Sequence, residues 1–183
     1  DDFTEIGLGL CCEEAVRIVL TETEKFSIDL PESAKSREFF TERGEVLDIL
    51  QNRSESVLER LNKLAAKYGL KLDLSIDELY KLYKSLERLD TSWDIELEKL
   101  KGADMASALD REDLQILFEQ LACYFIFRHF EGGVGFTLVS MLALGAICAK
   151  CESIDEVLDI VRIYSSEIEY SEENTEKVRE FLR

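Results

Sequence analysis

Residues 132–149 read GGVGFTLVSMLALGAICA, eighteen consecutive positions without a charged side chain. The run falls short of the roughly 20 apolar residues that a membrane-spanning helix needs. It is also interrupted by Gly132, Gly133, Gly135, Thr137, Ser140 and Gly145. A helix apolar on every side is what the middle of a helical bundle demands. Ala143, Gly145, Ala146 and Ala149 are small enough to let neighbouring helices approach it. The stretch therefore predicts a buried central helix rather than a membrane span.

Helical periodicity continues on both sides of that run. From about Arg111 to Phe130, the residues Leu114, Leu117, Phe118, Leu121, Tyr124, Phe125 and Phe127 follow a helical pattern. Ser153-Ile154-Asp155-Glu156 has capping-box spacing and opens a helix through Val157, Ile160, Val161 and Tyr164. A last helix is expected to begin near Ser171 and to end with Val178, Phe181 and Leu182.

Upstream, Ser75-Ile76-Asp77-Glu78 is another capping box, in front of Leu79, Leu82, Tyr83 and Leu86. Thr91-Ser92 can cap a short helix through Trp93, Leu97 and Leu100, and residues 102–110 read as a loop. Val57, Leu58, Leu61, Leu64 and Ala65 make a stripe that Tyr68-Gly69 closes. Residues 32–52 place Phe39, Phe40, Val46, Leu47 and Leu50 on one face, with a bend expected at Gly44. Lys25 to Leu30 (KFSIDL) alternates as an extended connector that Pro31 ends. Ala15, Ile18, Val19 and Glu22 trace the first helix, with Glu13 and Glu14 in its first turn. The expectation is an all-α fold, a bundle of about seven to nine helices around a central apolar helix. It is read as a single helical domain over residues 1–183.

Composition narrows the function. Hydrophobic residues make up 46% of the 183 positions, enough for a core and too many for a disordered chain. Against 39 acidic residues stand 22 basic ones, a net charge of −17. No cluster of four or more Lys or Arg occurs, which argues against nucleic acid as a partner. A basic partner is electrostatically easier. One proline and nine glycines are too few for an all-β fold with many tight turns. Five cysteines, an odd number, behind a charge-rich start argue against a disulfide scaffold and for a reducing cytoplasm. The chain opens at Asp1 and its methionines are Met105 and Met141, so the reading expects a fragment lacking an upstream segment.

Several residues could carry chemistry. Cys148-Ala149-Lys150-Cys151 has the spacing at which two thiolates reach one metal ion. A structural zinc site needs four ligands, and Cys11, Cys12, Cys123 and His129 do not complete a second pair of that spacing. Cys148 also continues the apolar face of its helix, so a core cysteine followed by a helix-end cysteine is the favoured reading. Cys11-Cys12 precede the first helix, where positive partial charge lowers a thiol pKa. Reactivity or cluster ligation and simple packing are both open there. His129, the sole histidine, lies in the aromatic helix end Phe125 to Phe130, where a cationic group suits the helix dipole. Gly132-Gly133-Val134-Gly135 follows a helix, whereas nucleotide-binding glycine loops follow a strand.

Four segments in order resemble the flagellin lysine N-methylase (FliB-like) family, in the helical region downstream of its cysteine-rich N-terminal segment. Leu8-Gly9-Leu10-Cys11-Cys12-Glu13-Glu14-Ala15-Val16-Arg17 resembles L-x-L-S-C-P-E-A-A-R, with Cys11 for Ser and Glu13 for Pro. Ile49-Leu50-Gln51-Asn52-Arg53 and Leu58-Glu59-Arg60-Leu61 resemble I-L-Q-x-R…L-x-E-R-L. Tyr124 to Phe130 (YFIFRHF) is similar to Y-F-x-x-R-Y-F, with His129 for Tyr. Tyr164 to Asn174 (YSSEIEYSEEN) is similar to Y-S-R-E-I-E-H-S-D-E-N, with Ser166 for Arg and Tyr170 for His.

The resemblance implies methyl transfer from S-adenosylmethionine to lysines of flagellin, with an iron–sulfur cluster in the cysteine-rich segment. Of the metal ligands only Cys12 carries over to this sequence, and the cofactors are expected to be incomplete in these residues. Glu167, Glu169 and Asn174 have a structural alternative, a helix-to-helix corner with Ser171 capping the last helix. A non-catalytic acidic helical module that docks partner helices fits the composition as well. A zinc or iron–sulfur protein complete within the 183 residues is a third option.

Overall fold

The computed structural model describes residue 25 and residues 34–104 and 108–182. Among these residues the chain forms eight α-helices and no strand. They are α1 (Ala34–Leu50), α2 (Val57–Lys67), α3 (Ile76–Ser85), α4 (Ser92–Glu98), α5 (Gln115–His129), α6 (Gly135–Ile147), α7 (Ile154–Tyr164) and α8 (Glu172–Glu180). The helix predicted around Ala15 to Glu22 lies outside the described residues, as does the connector beyond Lys25.

The apolar run becomes α6, and all thirteen of its residues are buried. Thirteen residues at 1.5 Å rise span about 20 Å, against about 30 Å of bilayer hydrocarbon. No helix among the described residues is long and apolar enough to cross a membrane. Helices α3, α5 and α8 pack against α6. Helix α1 lies against α2 and α5, and α4 against α3 and α7. One continuous hydrophobic cluster runs through these contacts, from Val46 in α1 to Val178 in α8. Gly145 explains one close approach, since a Cβ there would lie 2.5 Å from the Leu109 side chain.

Local capping sets most helix starts. Ser75 Oγ accepts from the Glu78 N–H at 3.2 Å while the Glu78 carboxylate accepts from the Ser75 N–H at 2.8 Å. The same reciprocal box, absent from the sequence reading, joins Ser56 and Glu59 at the start of α2. Helix α2 ends at Tyr68, and Gly69 follows with φ +68°, the left-handed conformation glycine adopts without strain.

Helix α1 runs continuously through Gly44. Three expectations need correction. Thr91 does not cap α4: its backbone is already helical (φ −72°, ψ −17°), which points Oγ away from the first turn. Asp90 takes that role, its Oδ1 accepting from the Ser92 N–H at 2.7 Å. At Ser153 the box is one-sided, because the Glu156 carboxylate accepts from the Glu152 N–H at 2.9 Å. The long helix expected from Arg111 opens as a 3₁₀ turn, Glu112–Leu114, before α5 begins.

Candidate functional site

Helix α7 does not end in solvent. It widens into a π-helical turn, Ser165–Glu169, before Ser171 caps α8. Such turns are rare and concentrate at functional positions. Four of its five residues, Ser165, Glu167, Ile168 and Glu169, are buried. Two carboxylates two positions apart are thus both held inside the protein, and each meets a different set of donors.

Glu167 turns to the segment after α3. Its Oε1 accepts from the Leu89 N–H at 2.8 Å and from Arg88 Nη1 at 3.2 Å, and its Oε2 accepts from the Asp90 N–H at 2.8 Å. Glu169 turns to α5. Its Oε1 lies 2.7 Å from His129 Nε2 and 3.5 Å from Arg128 Nε. Its Oε2 accepts from Ser165 Oγ at 2.6 Å and from the Tyr124 hydroxyl at 3.3 Å. The His129 ring packs on Phe136 of α6, with centroids 4.0 Å apart. Burial, followed by the Glu169 charge, pushes the Tyr124 hydroxyl well above the ordinary tyrosine range.

Beside this corner lies a hydroxyl relay. Tyr83 of α3 and Tyr164 of α7 meet at 2.9 Å, and the Tyr164 hydroxyl donates to Ser140 Oγ of α6 at 2.7 Å. Trp93 packs on both tyrosine rings, at centroid distances of 5.9 and 5.7 Å. Burial raises the hydroxyl pKa of both tyrosines, so they stay neutral donors and acceptors.

A third buried acid, Glu119 of α5, is held by two guanidinium groups. Arg60 Nη1 donates to its Oε2 at 2.8 Å and Arg53 Nη2 to its Oε1 at 2.9 Å. Arg60 also donates from Nη1 to the Leu50 carbonyl at 2.6 Å, closing the last turn of α1. Cys123 is enclosed nearby, and burial pushes its thiol far above the ordinary range, so it is inert.

These arrangements hold groups rather than expose them. Ser165 donates to the Glu169 carboxylate rather than to His129, and both residues are buried. The expected structural corner is present: Ser171 Oγ accepts from the Asn174 N–H at 3.2 Å, and Glu167, Glu169 and Asn174 are all engaged internally. The glycine patch serves close packing. A Cβ on Gly135 would lie 2.4 Å from the Arg179 carbonyl oxygen of α8, so this patch is filled by protein backbone.

Cys11 and Cys12 lie outside the described residues. Cys148 and Cys151 sit together at the end of α6, both buried, and both are free thiols. Among the described residues no group of three or more His, Cys, Asp or Glu could hold a metal ion. The described residues therefore do not by themselves provide the ligand set of an iron–sulfur cluster.

Sequence reasoning missed Glu119, Arg53 and Arg60 as a unit. One signal was available: Glu119 is the only charge between Leu114 and Phe127, where a solvated acid has no place. The π-helical turn left no comparable trace.

The fold and its paired interior define an all-α helical bundle organised around one enclosed helix. Comparison with known proteins returns no match to a family model, a curated protein or a solved structure.

Proposed function

We propose that this chain is the helical body of a lysine N-methylase that acts on flagellin in the cytoplasm with S-adenosylmethionine as methyl donor. In this reading a cysteine-rich segment bearing an iron–sulfur cluster, with Cys12 among its ligands, completes the enzyme. One observation carries it. Two of the segments on which the FliB-like resemblance rests are joined through Glu169, which takes bonds from Tyr124 and His129 and an ion pair from Arg128. Tyr124, Arg128 and Glu169 match the resembled pattern and meet in space, and His129, which departs from it, joins them. The net charge of −17 suits a lysine-bearing partner.

The test is a methyl-transfer assay on the complete gene product with flagellin and S-adenosylmethionine, alongside iron quantification. Methylated flagellin lysines are expected, with Cys12→Ser lowering both iron content and activity while the helical signal is retained. Iron content unchanged in Cys12→Ser reduces that residue to packing. Absence of methyl transfer from an iron-loaded product overturns the reading. The second reading is a non-catalytic acidic interaction module, favoured by the internal pairing of the buried acids Glu119, Glu167 and Glu169.

A further inference from the structure

We propose that Cys148 and Cys151 form a two-electron redox site that closes to a disulfide by exchange with a small-molecule disulfide such as oxidised glutathione. The geometry comes first. Cys148 opens a 3₁₀ turn, Cys148–Lys150, at the C-terminal end of α6, and Cys151 follows it in extended conformation. The Cys151 N–H donates to the Cys148 carbonyl at 3.1 Å, closing the turn. Side chains three apart in such a turn lie over one another, and its ends come within about 7 Å between Cα atoms. That is the span a disulfide can bridge. The two thiols lie close enough to perturb one another's protonation.

Their surroundings are unequal. Cys148 is fully enclosed, whereas Cys151 retains 7% exposure at the edge of the core. The Lys99 ammonium and the Arg111 guanidinium both lie close enough to interact with the two sulfurs, and Arg111 Nη1 also donates to the Cys151 carbonyl. Glu96 and Glu156 oppose them. The interaction with Cys148, aided by Lys99, holds the Cys151 thiol below its ordinary range. The same interaction, with burial, pushes Cys148 well above it. Cys151 is thus the attacking sulfur and Cys148 the resolving one. Two thiols without further ligands make a redox couple rather than a structural metal site.

The step balances. The Cys151 thiolate attacks one sulfur of the oxidant, the oxidant's S–S bond breaks, and one glutathione thiolate leaves. Cys148 sulfur then attacks Cys151 Sγ of the mixed disulfide, the Cys148 proton passes to the departing glutathione thiolate, and the internal bond forms. The two cysteines lose two electrons, and the oxidant is reduced to two thiols once the first glutathione thiolate takes from solvent the proton that Cys151 gave up on ionising. This inference is independent of methyl transfer.

The experiment treats the full chain with oxidised glutathione and with reduced buffer in parallel, then blocks remaining thiols under denaturing conditions. Trypsin cuts after Lys150, between the two cysteines, so a Cys148–Cys151 bond leaves residues 129–150 and 151–162 joined until reduction. The expected result is that joined pair in the oxidised sample and its loss on reduction. Cys148→Ser should stall with glutathione on Cys151, and Cys151→Ser should leave Cys148 unmodified. Should a variant fail to fold, alkylation of the native wild type decides: Cys151 should react about tenfold faster than Cys148 or more. Two fully blocked, separate peptides after oxidation, a wild type that stops at the mixed disulfide, or equal alkylation rates would each overturn the proposal.

Discussion

Asn174 pairs with the backbone of Glu87 as a strand would, although the two stand 87 positions apart. Its side-chain carbonyl accepts from the Glu87 N–H at 2.8 Å, and its amide donates to the Glu87 carbonyl at 2.9 Å. The same amide donates to the Glu167 carbonyl at 3.0 Å, so one side chain ties the segment after α3 to the π-helical turn before α8. Asn174 itself is fully enclosed.

Asn174→Ala strips three bonds from partly buried backbone groups and is expected to cost about 2–3 kcal/mol. Asn174→Asp keeps the acceptor but turns a carboxylate toward two carbonyl oxygens, so its cost should be at least as large. Urea denaturation of the three proteins checks both. An aspartate variant as stable as wild type would show that the two donor bonds contribute nothing.

Glu119 neutralises a guanidinium that cannot reach water, since Arg60 is 2% exposed. Glu119→Gln should therefore cost about 3–5 kcal/mol, the penalty of a buried charge left without its partner. Replacing both, Arg60→Met with Glu119→Leu, should recover much of that loss, because the desolvation cost disappears with the charges. Arg53, about a third exposed at its side chain, can turn to solvent in either variant. A double-mutant cycle with no coupling between the two positions would refute this account.

Gly135 and Gly44 should respond to alanine with opposite signs. At Gly135 a Cβ meets the Arg179 carbonyl oxygen at 2.4 Å, and moving that backbone means moving α8. A loss of about 1–3 kcal/mol is expected. At Gly44 nothing lies within 4 Å, and the residue is inside α1. Gly44→Ala should stabilise by up to about 1 kcal/mol through helix propensity. Thermal melts of both variants provide the comparison, and matching signs would contradict it.

The start of α3 carries a pH dependence of defined sign. The Ser75 hydroxyl, and then its backbone N–H, hold the Glu78 carboxyl below its ordinary value. A carboxyl depressed in the folded state contributes stability above the unfolded carboxylate value of about 4.3. That contribution is lost as pH falls through the folded value. Between about pH 7 and about pH 3 wild type should lose more stability than Glu78→Gln, whose side chain does not titrate. Parallel denaturation curves at the two pH values would remove Glu78 from the acid response.

The local features were legible because their causes are local. The apolar run 132–149 announces α6, and Ser75 with Glu78 announces α3, since a cap and its acceptor lie within one turn. Thr91 misled because a capping residue is recognised by its letter but acts through its backbone angles, and Asp90 one position earlier has the reach. Glu167 and Glu169 resemble a solvated pair in sequence. Only the π-helical turn buries both, aiming one at the Asp90 N–H and the other at His129.

By itself, then, the sequence determined the helical class, most helix boundaries and the central place of α6, because periodicity and capping act over a few residues. The tertiary structure alone decided which charges are buried and with whom. Glu119 finds Arg60 across 59 positions, and His129 finds Glu169 across 40. A carboxylate has the same letter whether it faces water or a guanidinium. Its energy is set by the dielectric and the donors that folding brings around it.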